Sequence, residues 1–475
     1  MATTNGNRKI LDVKRWEFMA PAPAASVAGS LISSSRHFRQ QQLYISGIAA
    51  AAIYNPSEDG WISIPSPALP AAGLAAGSAA AAVAFSTGTT VGAVSLTATA
   101  GTTSTFTTTQ TLARDLRGYK VHIIGGPNAG AVLDIVSNTT TASSVITVAT
   151  QASAFTASTV YRLLTPVWFV SAAATVAAGS FRKYCYATNT WTSLAVLPAT
   201  IGTDAKLIAT PSIVDGAFKS FATGTATSAT STTLVQTGKT WAASQWINSQ
   251  VRITGGTGAG QIRTITANTA DTLTVATWTT TPDATSTYAI EGNDNFLYLL
   301  GNNAVTMYRY DIGANSWSTL SPIAARAAAA GSGMSAHWVH TSSATDWNAE
   351  SAIIAGRYIY SFQGGGGAAL HRYDIAGNTW ATITYAPATE TFGTGSKYAL
   401  HGDILYMQKE ATGRWFAYDF VRSEMFPWST MLYPQGGALA GDTAFDVVYK
   451  DGATEITYIY MLLNTSTVLL RQMVI

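Results

Sequence analysis

The sequence predicts an all-β chain, a six-bladed β-propeller closed by its own N-terminal strand and carrying two homologous inserted small β-domains. Three observations predict this. A phrase ending in tryptophan recurs along the chain, and the last unit it defines lacks a strand that the N-terminus can supply. Two abnormally long gaps between phrases each hold a copy of a second, shorter repeat.

Four phrases keep Tyr and Trp seven positions apart: Tyr54 to Trp61, Tyr184 to Trp191, Tyr310-Asp-Ile-Gly-Ala-Asn-Ser-Trp317 and Tyr373-Asp-Ile-Ala-Gly-Asn-Thr-Trp380. A looser fifth runs from Tyr418-Asp419 to Trp428, and a sixth, Leu11-Asp12 to Trp16, opens the chain. Between Trp317 and Trp380 lie Leu320-Ser-Pro322, the small-residue stretch Ala324 to Ala336, Arg357-Tyr-Ile-Tyr360, a glycine turn Gly364 to Gly367, and Ala368 to Asp374. Short β-rich runs separated by turn residues read as a small antiparallel sheet, and its repetition around a ring makes a propeller.

The unit after Trp428 contains Glu455-Ile-Thr-Tyr-Ile-Tyr460 and Val468 to Val474 and then stops without a tryptophan strand. Ile10 to Met19, with Trp16 inside it, is the strand of the right kind at the other end of the chain. Pairing the two closes the ring and removes an open sheet edge.

Trp61 and Trp191 stand 130 positions apart, and Trp191 and Trp317 stand 126 apart, well beyond the other spacings. One gap holds Val121-His-Ile-Ile-Gly-Gly-Pro-Asn-Ala-Gly130, the other Val251-Arg-Ile-Thr-Gly-Gly-Thr-Gly-Ala-Gly260. Threonine-rich alternating runs follow each, Ser144 to Thr150 and Asp271 to Thr277. They read as two related β-modules of about 75–80 residues, a size that folds on one core, at equivalent points of neighbouring blades and on the same side of the ring. The expected division is 1–84 propeller (closing strand and first blade), 85–164 first module, 165–216 propeller, 217–291 second module and 292–475 propeller.

Charged residues make up 11% and the net charge is +2, which gives no electrostatic footprint for nucleic acid or an anionic membrane. A surface polar through hydroxyls and amides suits permanent contact with other subunits. The pairs Arg8-Lys9 and Lys14-Arg15 read as charges flanking a strand. With a single cysteine, Cys185, no intrachain disulfide or cysteine zinc cluster forms. Met1 to Met19 has no apolar signal-peptide core, and Ala71 to Ala84 is too short to span a bilayer.

The Tyr-Asp and Trp phrase resembles the kelch repeat, best in Tyr310 to Trp317 and Tyr373 to Trp380, although a clean double glycine is missing from most blades. The resemblance implies a propeller in which the aromatic pair is structural, so Trp16, Trp61, Trp191, Trp317, Trp380 and Trp428 are expected to fill the space between sheets. Kelch-like propellers include the galactose oxidase group, which implies copper held by tyrosines, histidines and a cysteine cross-linked to tyrosine. Cys185 lies between Tyr184 and Tyr186, but inside a blade-end phrase, where a small buried side chain is the simpler reading.

Other candidates are equally plain. His337 and His340 are three apart and face opposite sides of a strand, and His371 and His401 stand alone. Gly255 to Gly260 lacks the Gly-Lys-Ser/Thr of a phosphate loop and reads as a hairpin turn. The aspartates Asp311 and Asp374 sit six before their tryptophans, one more than in a sialidase Asp-box. Asp346, Glu350 and Glu390 show no paired spacing for glycoside hydrolysis. No catalytic residue, cofactor or metal site is expected, and the chain is read as not an enzyme.

Low charge, a closed ring and Ala/Thr/Gly-rich inserts are similar to virion proteins of tailed bacteriophages. That resemblance implies a tail, neck or decorating component, assembled in the host cytoplasm in symmetric copies against other virion proteins, with no nucleic acid or membrane partner. The alternative is an adhesin for a receptor or host-surface glycan, in which Trp338, Trp347 and Trp415, if exposed, stack on sugars.

Overall fold

The structure is a computed structural model. It describes residues 16–474 apart from 28–29, 36–39, 48–49, 70–73, 75–77, 87–90, 173–175, 202–204, 215–216, 301–305, 321, 323–333, 337–357, 365–366, 384–389, 394–395, 402–403, 410–411, 421, 432–443, 452–453 and 464.

Six four-stranded antiparallel sheets form the ring, numbered here from the first complete one. Blade 1 contains Leu31–Ser34, Gln42–Ser46, Ala50–Asn55 and Gly60–Ser63. Blade 2 contains Ala79–Val83, Val167–Ser171, Phe181–Cys185 and Thr190–Ser193; blade 3 contains Lys206–Ala209, Phe296–Leu300, Met307–Asp311 and Ser316–Leu320. Blade 4 is built from Met334–Ala336, Tyr358–Gly364, Gly367–Asp374 and Thr379–Ile383, and blade 5 from Lys397–His401, Ile404–Gln408, Arg414–Asp419 and Glu424–Thr430. The last, blade 6, takes Ala444–Asp451, Thr454–Leu462 and Leu469–Val474 from the C-terminus and Glu17–Phe18 from the N-terminus. First strands of blades 5, 6, 1, 2, 3 and 4 follow one another around the axis. Second strands such as Val167–Ser171 and Phe296–Leu300 are buried along their whole length, because a blade has a neighbour on both faces, so no polar alternation is needed.

Closure is achieved in the way the termini suggest. Glu17 pairs with Arg471 and Phe18 with Leu470. The chain then runs on along blade 6, with Met19 N–H donating to Leu469 O (2.9 Å), Ala22 N–H to Thr467 O (2.7 Å) and Ser26 N–H to Ser466 O (3.0 Å). An ion pair, Arg471 Nε to Glu17 Oε2 at 2.8 Å, lies over the seam.

The recurrent phrase turns out to be a clasp between blades. Tyr and Trp pair across adjacent strands, Tyr54 with Trp61, Tyr184 with Trp191, Tyr310 with Trp317 and Tyr373 with Trp380. Their ring centroids lie 4.8, 5.0, 5.0 and 5.1 Å apart. Five residues after each tyrosine the backbone is left-handed, at Asp59, Asn189, Asn315 and Asn378, a conformation Asn and Asp tolerate better than other non-glycine residues. There the side-chain oxygen accepts the tyrosine hydroxyl at 2.6–2.8 Å.

At two joints the same oxygen also accepts a backbone N–H four residues after the preceding blade's tryptophan: Ala20 to Asp59 and Ala195 to Asn315, both at 2.9 Å. At the first of these joints the indole N–H returns the contact, from Trp61 to Ala20 O, and at the joint between blades 1 and 2 the Trp191 indole likewise donates to Pro65 O.

The fifth phrase differs from its expected reading. Met425, not Trp428, stands opposite Tyr418, and the left-handed residue five after the tyrosine is Ser423. Trp428 is the extra residue of a bulge between the Trp415 and Phe416 pairings, and its ring packs on Tyr406 at 4.7 Å. Trp16 stands one residue before the closing ladder and lies 5.4 Å from Trp415 and 6.4 Å from Trp428.

Both inserts leave the ring between the first and second strands of their blades. In the first, Lys120–Gly125, Val132–Asn138, Val145–Val148, Thr105–Thr108, Leu96–Gly101 and Val160–Leu164 close into a barrel, filled by Phe106, Phe155 and Tyr161. The second follows the same circuit through Gln250–Gly255, Ile262–Asn268, Thr272–Val275, Thr233–Val235 and Thr287–Glu291. Its counterpart of Leu96–Gly101 is split into Ser220–Thr225 and Ser228–Thr230, so the strands form a seven-stranded sheet whose two edges are the halves of one interrupted strand, a barrel broken at that point. Asn138 and Asn268 do the same work: each oxygen caps one loop N–H, of Leu116 or Trp246, while the amide donates to the carbonyls of Arg114 and Thr139 or of Ala242 and Thr269.

Two expected outcomes test this architecture. Asn315→Ala orphans two donors and puts alanine at a left-handed position, so urea denaturation should show a loss of about 2–4 kcal/mol; a loss under about 0.5 kcal/mol would remove the clasp as a stabilising element. Deleting residues 1–19 strips blade 6 of its outer strand at roughly 0.5–1.5 kcal/mol per hydrogen bond, so the melting temperature should drop, and an unchanged value refutes the closure.

Candidate functional site

The two barrels meet each other, and their meeting point is the most unusual chemistry among the described residues. The motif turns come first. Gly126 and Gly256 have φ of 79° and 74°, and a Cβ on either would lie 2.6 or 2.1 Å from the carbonyl oxygen of Ser158 or Thr285, so only glycine fits. Gly130 and Gly260 close the turns by donating to Ile123 O and Ile253 O at 2.8 Å. A Cβ on Gly260 would lie 2.8 Å from Gly130 N and 2.9 Å from Ile123 O. The two copies of the motif are therefore in van der Waals contact with one another, backbone against backbone.

Beside the turns the barrels share a buried ionic cluster. Arg162 of the first barrel donates to Asp294 Oδ2 (3.0 Å), which lies just after the second barrel on the return to blade 3. Arg252 of the second barrel makes a forked contact with Glu291, Nε to Oε2 at 3.1 Å. Gln250 bridges the two carboxylates, at 3.3 Å to Glu291 and 3.2 Å to Asp294. Ser212 completes the set with its N–H on Asp294 Oδ1 (2.6 Å) and its hydroxyl on Oδ2 (2.8 Å). Phe85 and Phe218 cover the guanidinium faces, 4.4 Å from Arg162 and 3.9 Å from Arg252.

His122 is the remaining member. It is buried, its ring lies 5.5 Å from Phe218, and its Nε2 has no hydrogen-bond partner among the described residues. Burial, then Arg252 and Arg162, push its pKa down to about 3, so the imidazole is neutral. Burial raises the Glu291 carboxyl against the opposing pull of Arg252.

Each barrel also braces the ring. Tyr119 of the first donates to Gln41 of blade 1 (2.7 Å), and Arg114 reaches Asn189 Oδ1, Tyr184 Oη and Tyr186 O of blade 2. In the second barrel Asn248 accepts from Arg309 of blade 3 (2.9 Å) and Phe221 packs on the core between blades 4 and 5.

A second surface lies opposite, on the outer rim between blades 5 and 6. Phe18 shares a side of its sheet with its partner Leu470, and Phe426 with Ala417, and both of those partners belong to the core between these blades. Phe18 is 63% and Phe426 39% exposed, next to the half-buried Trp16 and Trp428. In four other blades the position of Phe18, two after the tryptophan, holds Ser63, Ser193, Thr319 or Thr382.

Of the expected sugar-stacking tryptophans, Trp415 is corrected: it is 1% exposed, locked between Trp16 and Trp428. Trp338 and Trp347 lie outside the described residues, as do His337, His340, Asp346 and Glu350. His371 faces Thr382 Oγ1 and His401 faces Thr457 Oγ1, and the two are not brought together. Glu390 pairs with Lys409 and Arg414. Cys185 Sγ lies 2.9 Å from Ser86 Oγ, while the hydroxyl of Tyr184 is held by Asn189 and Arg114. Gly255 to Gly260 is the turn between two strands of a barrel. Among the described residues no group of three or more His, Cys, Asp or Glu side chains is placed to hold a metal ion, and no helix is long and apolar enough to cross a membrane.

The cluster escaped sequence reasoning because its members are spread over four strands and two loops. One signal was present: at matched positions of the two motifs, after Val121 and Val251, stand His122 and Arg252, polar side chains where a small barrel's outer face would be free to carry threonine.

No family model and no curated protein matches the sequence. Among solved structures the chain is similar to YjhT, at 13% identity over 62% of this chain and 68% of that one (TM-score 0.30). It is also similar to YCF48 bound to D1 peptide, at 9% identity over 97% and 95% (TM-score 0.32). A chain of a mitotic checkpoint complex gives 9% over 97% and 94% (TM-score 0.34).

Breaking the buried cluster should be far more damaging than breaking a surface pair of similar geometry. Glu291→Ala leaves the Arg252 guanidinium buried and unpaired and should cost about 3–5 kcal/mol in urea denaturation, whereas Asp134→Ala, which frees the exposed Lys120, should cost less than about 1 kcal/mol. Equal losses would mean that the cluster does not hold the barrels.

Proposed function

We propose that the chain is a structural component of a tailed-bacteriophage virion, a kelch-like propeller that acts by assembly with other virion proteins and catalyses nothing itself. The observation that carries the reading is the outer rim between blades 5 and 6. There two phenyl rings stand exposed, one of them where other blades carry a hydroxyl, in a chain with only 11% charged residues. Exposed aromatics beside half-buried tryptophans make a surface suited to permanent protein contact. The barrels support the same reading from the other side: two modules packed on each other and braced on blades 1 to 5 present a defined shape to an assembly at neutral pH, where their shared cluster is closed.

The engaged surroundings of Cys185 and Tyr184 favour this over copper chemistry of the galactose oxidase type. With Trp415 buried, nothing described favours sugar stacking over assembly.

The test is incorporation. The protein should copurify with phage particles and appear by electron microscopy in symmetric copies, and Phe18→Ser with Phe426→Ser should reduce incorporation at least tenfold while leaving the melting temperature within a few degrees. Recovery solely as a soluble monomer from infected cells would overturn the assignment. Full incorporation of the double variant would move the contact elsewhere on the ring.

A further inference from the structure

His122 occupies a place where a proton is unwelcome while the two barrels touch. Its strand, Lys120–Gly125, belongs to the first barrel, and one of its cross-strand partners is Arg162. Arg252 comes from the second barrel, and both guanidiniums oppose a charge on the imidazole. Neither nearby carboxylate is available to compensate. Glu291 is taken by Arg252 and Gln250, and Asp294 by Arg162, Ser212 and Gln250.

The remaining charges near the cluster do not change this balance. Lys120, at the far end of the same strand, pairs with Asp134 at the surface. Arg263, on Ile262–Asn268, turns to Thr277, Thr279 and the Trp278 ring. Lys219, beside Phe218 in the chain, adds a further positive charge on the hairpin that covers the site.

We propose that His122 is an acid-operated wedge: a proton taken up by its ring parts the two barrels, and the neutral ring lets them close. The barrels can separate without unfolding, because the first is packed into the core it shares with blades 1 to 3, the second has a core of its own, and each has its own connection to a blade.

The sign follows from linkage. With the barrels closed His122 titrates at about 3, against an ordinary value of 6.5. A group whose pKa is depressed in one state stabilises that state fully above its ordinary value and ceases to as pH falls toward the depressed one. Between pH 7 and pH 4 the ratio of open to closed forms should rise by at most roughly two-hundredfold from this residue, and by less to the extent that Arg162, which stays opposite it in its own barrel, still opposes the proton. Glu291, raised by burial, binds its proton more readily in the closed form and works in the opposite direction. It is common to the wild type and a His122 variant, so the difference between them isolates the imidazole.

The experiment uses the full chain with dyes on Thr99→Cys in the first barrel and Thr266→Cys in the second, both exposed threonines; the native Cys185 is buried. Energy transfer is followed from pH 7 to pH 4, with circular dichroism reporting that the sheets stay folded. Transfer should change over this range in the wild type and much less in His122→Asn, with His122→Gln in its place if the asparagine variant does not fold. A flat wild-type titration overturns the proposal, and so does an equal change in wild type and variant.

Discussion

A single oxygen atom organises each of two joints of the ring. At Asp59 and Asn315 a side-chain oxygen receives a tyrosine hydroxyl from its own blade and a backbone N–H from the chain that has just left the blade before it. Sheets stacked face to face by apolar contact have no inherent angular preference, since burial is non-directional. A hydrogen bond that crosses from one blade to the next supplies the direction. The left-handed backbone at these residues is needed to aim the oxygen, and the tyrosine that reaches it is held in place by its ring contact with tryptophan.

The barrels extend the same logic off the ring. Packing two related modules through glycine turns leaves a contact of backbone against backbone, which is close and non-slipping but weak in burial. The ionic cluster beside it adds specificity. Two guanidiniums, two carboxylates, an amide and a hydroxyl satisfy one another in a way that a slipped or rotated arrangement would not. Because Asp294 and Ser212 come from the connections to blade 3, the cluster ties the pair of barrels to the ring as well as to each other. The bracing runs from blade 1 round to the core between blades 4 and 5, while the rim between blades 5 and 6 is left open.

How much of this was legible in the sequence depends on whether a residue's role repeats. The blade count, the closure of blade 6 by the segment around Trp16 and the two inserts all follow from phrases that recur, and each is found in the structure. The fifth phrase misled because a bulge moved a conspicuous tryptophan, Trp428, three positions past its structural counterpart Met425. Trp415 looked suitable for a surface because indole is amphipathic, but it alternates with residues on both buried faces of a strand inside the ring. The clasp oxygens were in plain view as Asp59, Asn189, Asn315 and Asn378, yet turn propensity alone explains an Asn or Asp there, so their second task was hidden. The cluster around His122 was beyond reach: its parts are single residues from distant segments, and only the fold assembles them.

Blade 2 departs from the clasp in one respect. The residue four after Trp61 is Pro65, which has no N–H to offer Asn189, and the place of that donor is taken by Arg114 of the first barrel at 2.9 Å. An inserted module has thereby become part of the joint it interrupted. Removing the module would leave this joint with a missing donor, so what looks like an ornament on blade 2 serves as a keystone.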